Sequence, residues 1–92
     1  MFIQAGGYSE KADVYSFAIV LWQIYSQAQP YPKLHASQVL FQVARDGMRP
    51  RIPSKIPLNV VSLIKRCWDH EPERRPSFSE IAAELVVMRD AA

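Results

Sequence analysis

The sequence predicts an all-α chain, and three observations carry that prediction. Apolar residues recur at helical spacing in four segments, and seven prolines and three glycines separate these segments. One segment also begins with a helix-capping motif. The predicted helices cover about residues 10–26, 36–45, 58–69 and 77–90. Three of them are amphipathic, one is apolar over most of its surface, and no sheet is predicted.

The first predicted helix is the apolar one. Ten of the thirteen residues in the range 13–25 are apolar, and the exceptions are Asp13, Ser16 and Gln23. At 100° per residue these three fall within an arc of about 80°. A membrane span needs about 20 apolar residues, and this run is shorter and contains an aspartate. The pattern therefore predicts a helix at the centre of a core.

Both ends of this helix have sequence signals. Ser9 is a candidate N-cap after an irregular lead-in at Gly6 and Gly7. Pro30 and Pro32 follow its end, because proline lacks the donor that a helix needs.

The second and third helices are predicted to bury one face each. The inward face of the second comprises Ala36, Val39, Leu40 and Val43, and that of the third comprises Val60, Val61, Ile64, Cys67 and Trp68. Gly47 stands where a helix C-terminus favours a left-handed residue. The proline-rich residues 48–57 are predicted to form an extended loop.

The last helix has the clearest start. Ser77 and Glu80 fit the S-x-x-E capping box, in which two backbone donors are satisfied reciprocally. Its apolar stripe comprises Phe78, Ile81, Ala82, Leu85 and Met88. The other three helices can cover only part of the first, so we expect further polypeptide around it. A self-contained bundle and a dimer are the alternatives.

Composition excludes several classes of function. The net charge of +2 is too small to indicate a nucleic-acid-binding protein. The single cysteine permits no internal disulfide and predicts a reducing compartment. The opening MFIQAGG lacks the pattern of a signal peptide, and no transmembrane segment is predicted.

No active site can be predicted from residue chemistry alone. Cys67, His70 and His35 are too few for a zinc site, and Cys67 is predicted to be a core residue. There is no glycine-rich phosphate loop and no legible Ser/His/Asp arrangement. Core packing is the prediction for the aromatic residues Tyr15, Phe17, Trp22, Trp68 and Phe78.

Two charged residues have two interpretations each. Asp13 either complements the positive end of its helix or accepts hydrogen bonds from buried backbone donors. Arg75 is either a surface arginine or the buried half of an ion pair.

Two blocks of sequence carry a resemblance to a known family. YSEKADVYSFAIVLWQIYSQAQPYP and, later, CWDHEPERRPSFSEI resemble the C-terminal lobe of eukaryotic protein kinases. The resemblance runs from Tyr8 to Met88 and is nearest to the tyrosine-kinase-like serine/threonine group. It implies that the chain is a four-helix fragment of the large lobe of an α+β parent domain, with the first helix at the centre of that lobe.

The resemblance also implies what this chain lacks. The nucleotide-binding lobe, catalytic loop, D-F-G metal site and A-P-E motif would all precede Met1. ATP and Mg²⁺ would bind the parent domain, with no cofactor or metal in this chain. We therefore expect no phosphotransfer by the chain itself, a protein substrate for the parent, and a cytoplasmic location.

No catalytic residue is assigned to the chain, but five residues match structural anchors of the family. Asp13 matches an aspartate that accepts hydrogen bonds from the backbone of the catalytic loop. Val20 and Ile24 match supports of the apolar stack that reaches the adenine pocket, and they share a helix face with Asp13. Trp68 belongs to the C-W-x-x-x-P block, and Arg75 matches the arginine that pairs with the glutamate of A-P-E.

Two departures and three alternatives accompany this resemblance. Ala18 stands where the family usually has glycine, which predicts packing strain of about 1 to 3 kcal/mol. Gln23 stands where many members have glutamate. The alternatives are a freestanding helical module that binds a partner between the second and third helices, a scaffold derived from a pseudokinase, and a longer kinase with a misplaced start at Met1.

Overall fold

The fold is a thin layer of helices. The computed structural model describes residues 6–91, with side chains from Glu10 onward. The described elements are helices α1 (Gly6–Ser26), α2 (Ala36–Asp46), α3 (Leu58–Cys67) and α4 (Phe78–Ala91), with a short 3₁₀ turn at Pro72–Arg74. These residues contain no strand, so the all-α prediction is confirmed.

The layer is flatter and more extended than a compact domain of its length. The radius of gyration is 14.0 Å and the principal extents are 40 × 35 × 16 Å. A compact domain of this length would have a radius of gyration of about 12 Å. One 16 Å dimension leaves room for little more than one helix and the elements that cover one side of it.

The core lies where α1 crosses α3. It comprises Val14, Ala18, Trp22, Ile56, Val60, Leu63, Ile64, Cys67, Trp68 and Ile81. Trp22 also donates a hydrogen bond from Nε1 to the carbonyl of Arg51 at 2.9 Å, which ties α1 to the proline-rich loop. A bidentate ion pair between Arg66 and Glu84 joins α3 to α4.

The α1 helix begins earlier than its sequence signals predict. It starts at Gly6, so Ser9 lies inside the helix and is not its N-cap. Serine costs at most about 0.7 kcal/mol inside a helix, so a cap signal alone does not fix a start. The α3 helix ends at Cys67, two residues before the predicted end. The signal-peptide prediction concerns mainly residues 1–5, which lie outside the described residues.

Two faces that were predicted to be buried are largely exposed. The α2 helix has no buried residue, and Leu40 is 73% exposed. On α4 only Ile81 is buried, while Phe78 and Leu85 are more than a third exposed. An apolar stripe defines the face that a helix can bury, but burial also needs a neighbouring element. In residues 6–91, α2 and α4 have few such neighbours.

The capping predictions for the start of α4 and the end of α2 are confirmed. The Glu80 N–H donates to the Ser77 hydroxyl at 3.1 Å, and the Ser77 N–H donates to the Glu80 carboxylate at 2.8 Å. Gly47 ends α2 in the left-handed conformation, at φ 69°. The N–H groups of Gly47 and Met48 donate hydrogen bonds to carbonyls of the last turn of the helix.

Gln27 occupies the equivalent left-handed position after α1, at φ 57°. A side chain in this conformation costs about 1 kcal/mol, which glycine avoids. We therefore expect Gln27→Gly to stabilise the chain and Gly47→Ala to destabilise it, each by up to about 1 kcal/mol. Gln29→Gly, in the same loop without positive φ, is the control and should not stabilise. Urea unfolding followed by circular dichroism measures all three.

Candidate functional site

The first candidate surface is a stripe along α1, formed by Asp13, Val20 and Ile24. The three residues project within an arc of about 40°. Val20 is 51% and Ile24 is 63% exposed, and Asp13 is exposed beside them. The side of α1 that faces the core carries Val14, Ala18 and Trp22, which are all buried. The α1 helix is therefore covered on one side and open on the other.

The position of Asp13 removes one of its two interpretations. The helix begins seven residues earlier, at Gly6, so Asp13 does not lie in the first turn. The field of a helix terminus falls off within that turn, and Asp13 cannot complement it. Its carboxylate faces solvent in the described chain, where it is free to accept hydrogen bonds from another segment.

The second candidate surface is a cluster around Arg75, which is half-buried. Its Nε donates to the carbonyl of Asp69 at 2.8 Å, and its Nη1 donates to the carbonyl of Lys11 at 2.9 Å. The Lys11 ammonium donates in return to the carbonyl of Arg75. The guanidinium also lies 5.0 Å from the centre of the Tyr15 ring. Arg75 thus joins the segment before α4 to the start of α1.

Burial and the nearby Arg49 guanidinium lower the pKa of Arg75. The acceptors of its hydrogen bonds are neutral carbonyls, which do not cancel its charge. Within residues 6–91, no carboxylate lies in ion-pair distance of Arg75.

The aromatic residues that were predicted to pack in the core differ in burial. Trp68 is 5% exposed and belongs to the core, as does Trp22. Tyr15 and Phe17 are half-buried. Phe78 is 39% exposed, so the prediction that it lies in the core is wrong. Its ring packs edge-on against the ring of Phe17, with 6.2 Å between the ring centres.

The two departures from the family pattern lie on opposite faces of α1. Ala18 is fully buried and Gln23 is exposed, and the strain predicted at Ala18 stays a prediction.

Cys67 is a buried core thiol. It is fully buried, and burial raises its pKa to about 11, so the thiol is neutral. Within residues 6–91, no three His, Cys, Asp or Glu side chains are arranged to hold a metal ion. None of the helices there is both long and apolar enough to cross a membrane.

Comparison with known proteins identifies the family. The family model for protein tyrosine and serine/threonine kinases matches residues 2–85, which is most of the chain. This chain belongs to the protein kinase family. Three curated relatives from Dictyostelium discoideum illustrate the match. The "Probable serine/threonine-protein kinase drkC" is 42% identical over 81 residues, covering 88% of this chain and 11% of that protein.

The other two relatives are dual specificity protein kinases. The kinase shkB is 43% identical over 82 residues, and the aligned region covers 87% of this chain and 13% of shkB. The kinase shkD is 44% identical over 79 residues, and the aligned region covers 85% of this chain and 11% of shkD. The chain thus spans about a tenth of the length of these relatives. It is an all-α fragment of a protein kinase domain.

Two residues, one in the core and one at the Arg75 cluster, have no prediction from the sequence. Leu63 is fully buried at the centre of the core but was not assigned to the inward face of α3. Leu63 lies three residues after Val60, and this helical spacing indicates that both side chains share the inward face. Arg49 contacts Tyr15, a residue 34 positions away, and no local pattern could indicate that contact.

Proposed function

We propose that this chain is the helical part of a catalytic domain that transfers the γ-phosphoryl group of ATP to protein hydroxyls. Serine and threonine are the proposed acceptors, and tyrosine is the alternative. The relatives named above, which are serine/threonine and dual specificity kinases, support this choice. The parent is assigned to the tyrosine-kinase-like group on the resemblance of its two sequence blocks.

The observation that carries this proposal is the open stripe of α1. Asp13, Val20 and Ile24 match family anchors that other parts of the domain cover, and all three side chains are exposed here. Covering the two apolar side chains would stabilise the domain by about 25 cal/mol for each Å² removed from water. We propose that Asp13 then accepts hydrogen bonds from the catalytic loop, and that Arg75 pairs with the glutamate of A-P-E.

We place nucleotide and metal binding outside this chain. Phosphoryl transfer requires a phosphate cradle, Mg²⁺ ligands and a base that are held together. The sequence contains no glycine-rich phosphate loop, so ATP and Mg²⁺ are proposed to bind the parent domain. The proposed partners are the rest of that domain and a protein substrate, and the proposed location is the cytoplasm.

We expect the purified 92-residue chain to transfer no phosphate. The assay measures label transferred from radiolabelled ATP to a generic protein substrate in the presence of Mg²⁺. A preparation from cells that carry the empty vector is the control. Transfer above that control would contradict the placement of the catalytic groups outside the chain.

A second candidate function is a freestanding interaction module, including a scaffold derived from a pseudokinase. The exposed apolar residues Leu40 and Phe41 on α2 favour it, because exposed apolar patches mark interaction surfaces. A cooperative thermal transition with well-dispersed amide resonances would support this module. A molten or aggregating chain would support the fragment of a larger domain.

A further inference from the structure

Two guanidinium groups contact one aromatic ring at the Arg75 cluster. The Arg49 guanidinium lies 4.9 Å from the centre of the Tyr15 ring, and that of Arg75 lies 5.0 Å from it. All three residues are half-buried. Cations are attracted to the ring face, so contact with Tyr15 offsets part of the repulsion between the two groups. That repulsion is felt at Arg75, whose pKa is lowered by burial and by the Arg49 charge.

The hydrogen bonds of Arg49 parallel those of Arg75. Its Nε donates to the carbonyl of Trp68 and its Nη1 donates to the carbonyl of Met48, each at 2.8 Å. These bonds fix Arg49 between the loop after α2 and the end of α3. Both arginines are thus positioned by neutral acceptors, and a guanidinium with five N–H donors retains donors beyond these bonds.

The charges around the two arginines do not cancel. Within residues 6–91 no carboxylate lies in ion-pair distance of either guanidinium. Asp69 and Glu73 face Arg75 from a greater distance, and Lys11 adds a third cation through its bond to the Arg75 carbonyl. The cluster therefore carries excess positive charge that is partly shielded from water.

We propose that Arg49 is a second binding residue at the Arg75 site, so that one carboxylate is held by both guanidiniums. This inference rests on the proposed function, in which that carboxylate is the glutamate of A-P-E. The carboxylate relieves the repulsion between the guanidiniums, and its charge-assisted hydrogen bonds are stronger than bonds between neutral groups. Loss of Arg49 should therefore weaken carboxylate binding about threefold or more.

The test uses the purified full 92-residue chain with ¹⁵N-labelled arginine. It is titrated with a blocked Ala-Pro-Glu peptide and, as a control ligand, with blocked Ala-Pro-Gln. We expect the Nε–H resonances of Arg49 and Arg75 to shift together with one Kd in the glutamate peptide, and neither to shift with the glutamine peptide. A shift of Arg75 without Arg49, or no shift of either at the highest concentration, would overturn the proposal.

Variants separate the role of Arg49 from net charge and from folding. Arg49→Gln should raise the Kd about threefold or more, and Arg49→Lys should raise it less, because lysine keeps the charge but not the planar fork. Arg51→Gln removes the same charge at an exposed neighbour and should leave the Kd unchanged. Equal effects of the Arg49 and Arg51 variants would contradict the inference. If either variant unfolds, the wild-type titration still decides the proposal.

The outcome is independent of the proposed catalytic activity. Joint binding by both arginines in a protein whose longer form transfers no phosphate would contradict the proposed function and leave the binding role of Arg49 intact. Binding by Arg75 alone in an active longer protein would contradict only the role of Arg49.

Discussion

Replacing Leu63 with alanine is expected to lower the free energy of unfolding by about 2 to 5 kcal/mol. Leu63 is fully buried where α1 crosses α3, so the substitution removes buried methyl groups and leaves a cavity. A domain of this size has a total stability of about 5 kcal/mol or somewhat more, so the variant should be largely unfolded under mild conditions.

Leu58→Ala provides the matched control in the same helix. Leu58 is 86% exposed, and its substitution should change the free energy of unfolding by less than about 0.5 kcal/mol. Urea titrations followed by tryptophan fluorescence compare the two variants, because Trp22 and Trp68 lie in the same core. Equal losses in the two variants would contradict the burial assigned to α3.

The second large effect is expected on α1. Val14→Asp places a carboxylate on the fully buried face, without an ion-pair partner, and should cost about 4 kcal/mol or more. Val20→Asp makes the same change on the open stripe, where water solvates the charge. We expect a cost below about 1 kcal/mol at that position.

Thermal unfolding followed by far-UV circular dichroism measures this contrast. Val14→Asp should abolish the cooperative transition, and Val20→Asp should retain it. A comparable loss in both variants would mean that α1 is enclosed on every side, and the open stripe would then have no physical basis.

Features that depend on neighbouring residues in the chain could be predicted from the sequence. The reciprocal bonds of Ser77 and Glu80 and the left-handed Gly47 follow from local backbone requirements, and the structure confirms both. The four helices were also predictable, because their apolar periodicity extends over several turns.

Features that depend on tertiary contacts could not be predicted in the same way. Leu40 lies on the apolar face of α2, yet it is exposed because no described element covers it. Arg49 lies in an irregular loop, and only the fold brings it to Tyr15 and Trp68. The start of α1 was misplaced because glycine and serine indicate a helix boundary only weakly.

A contact between Asp13 and other parts of a kinase domain is an expectation that rests on the family resemblance. The family resemblance assigned Asp13, Val20 and Ile24 to one surface, and the structure places all three on the open face of α1. Helical geometry alone would have grouped them, but only the resemblance named what would cover them.

In the proposed function, this chain is the C-terminal part of a larger kinase domain. Sequencing the transcript upstream of the Met1 codon tests that claim most directly. We expect an open reading frame that continues upstream and encodes A-P-E, D-F-G and H-R-D in frame. A stop codon in frame between Met1 and those motifs would contradict the claim.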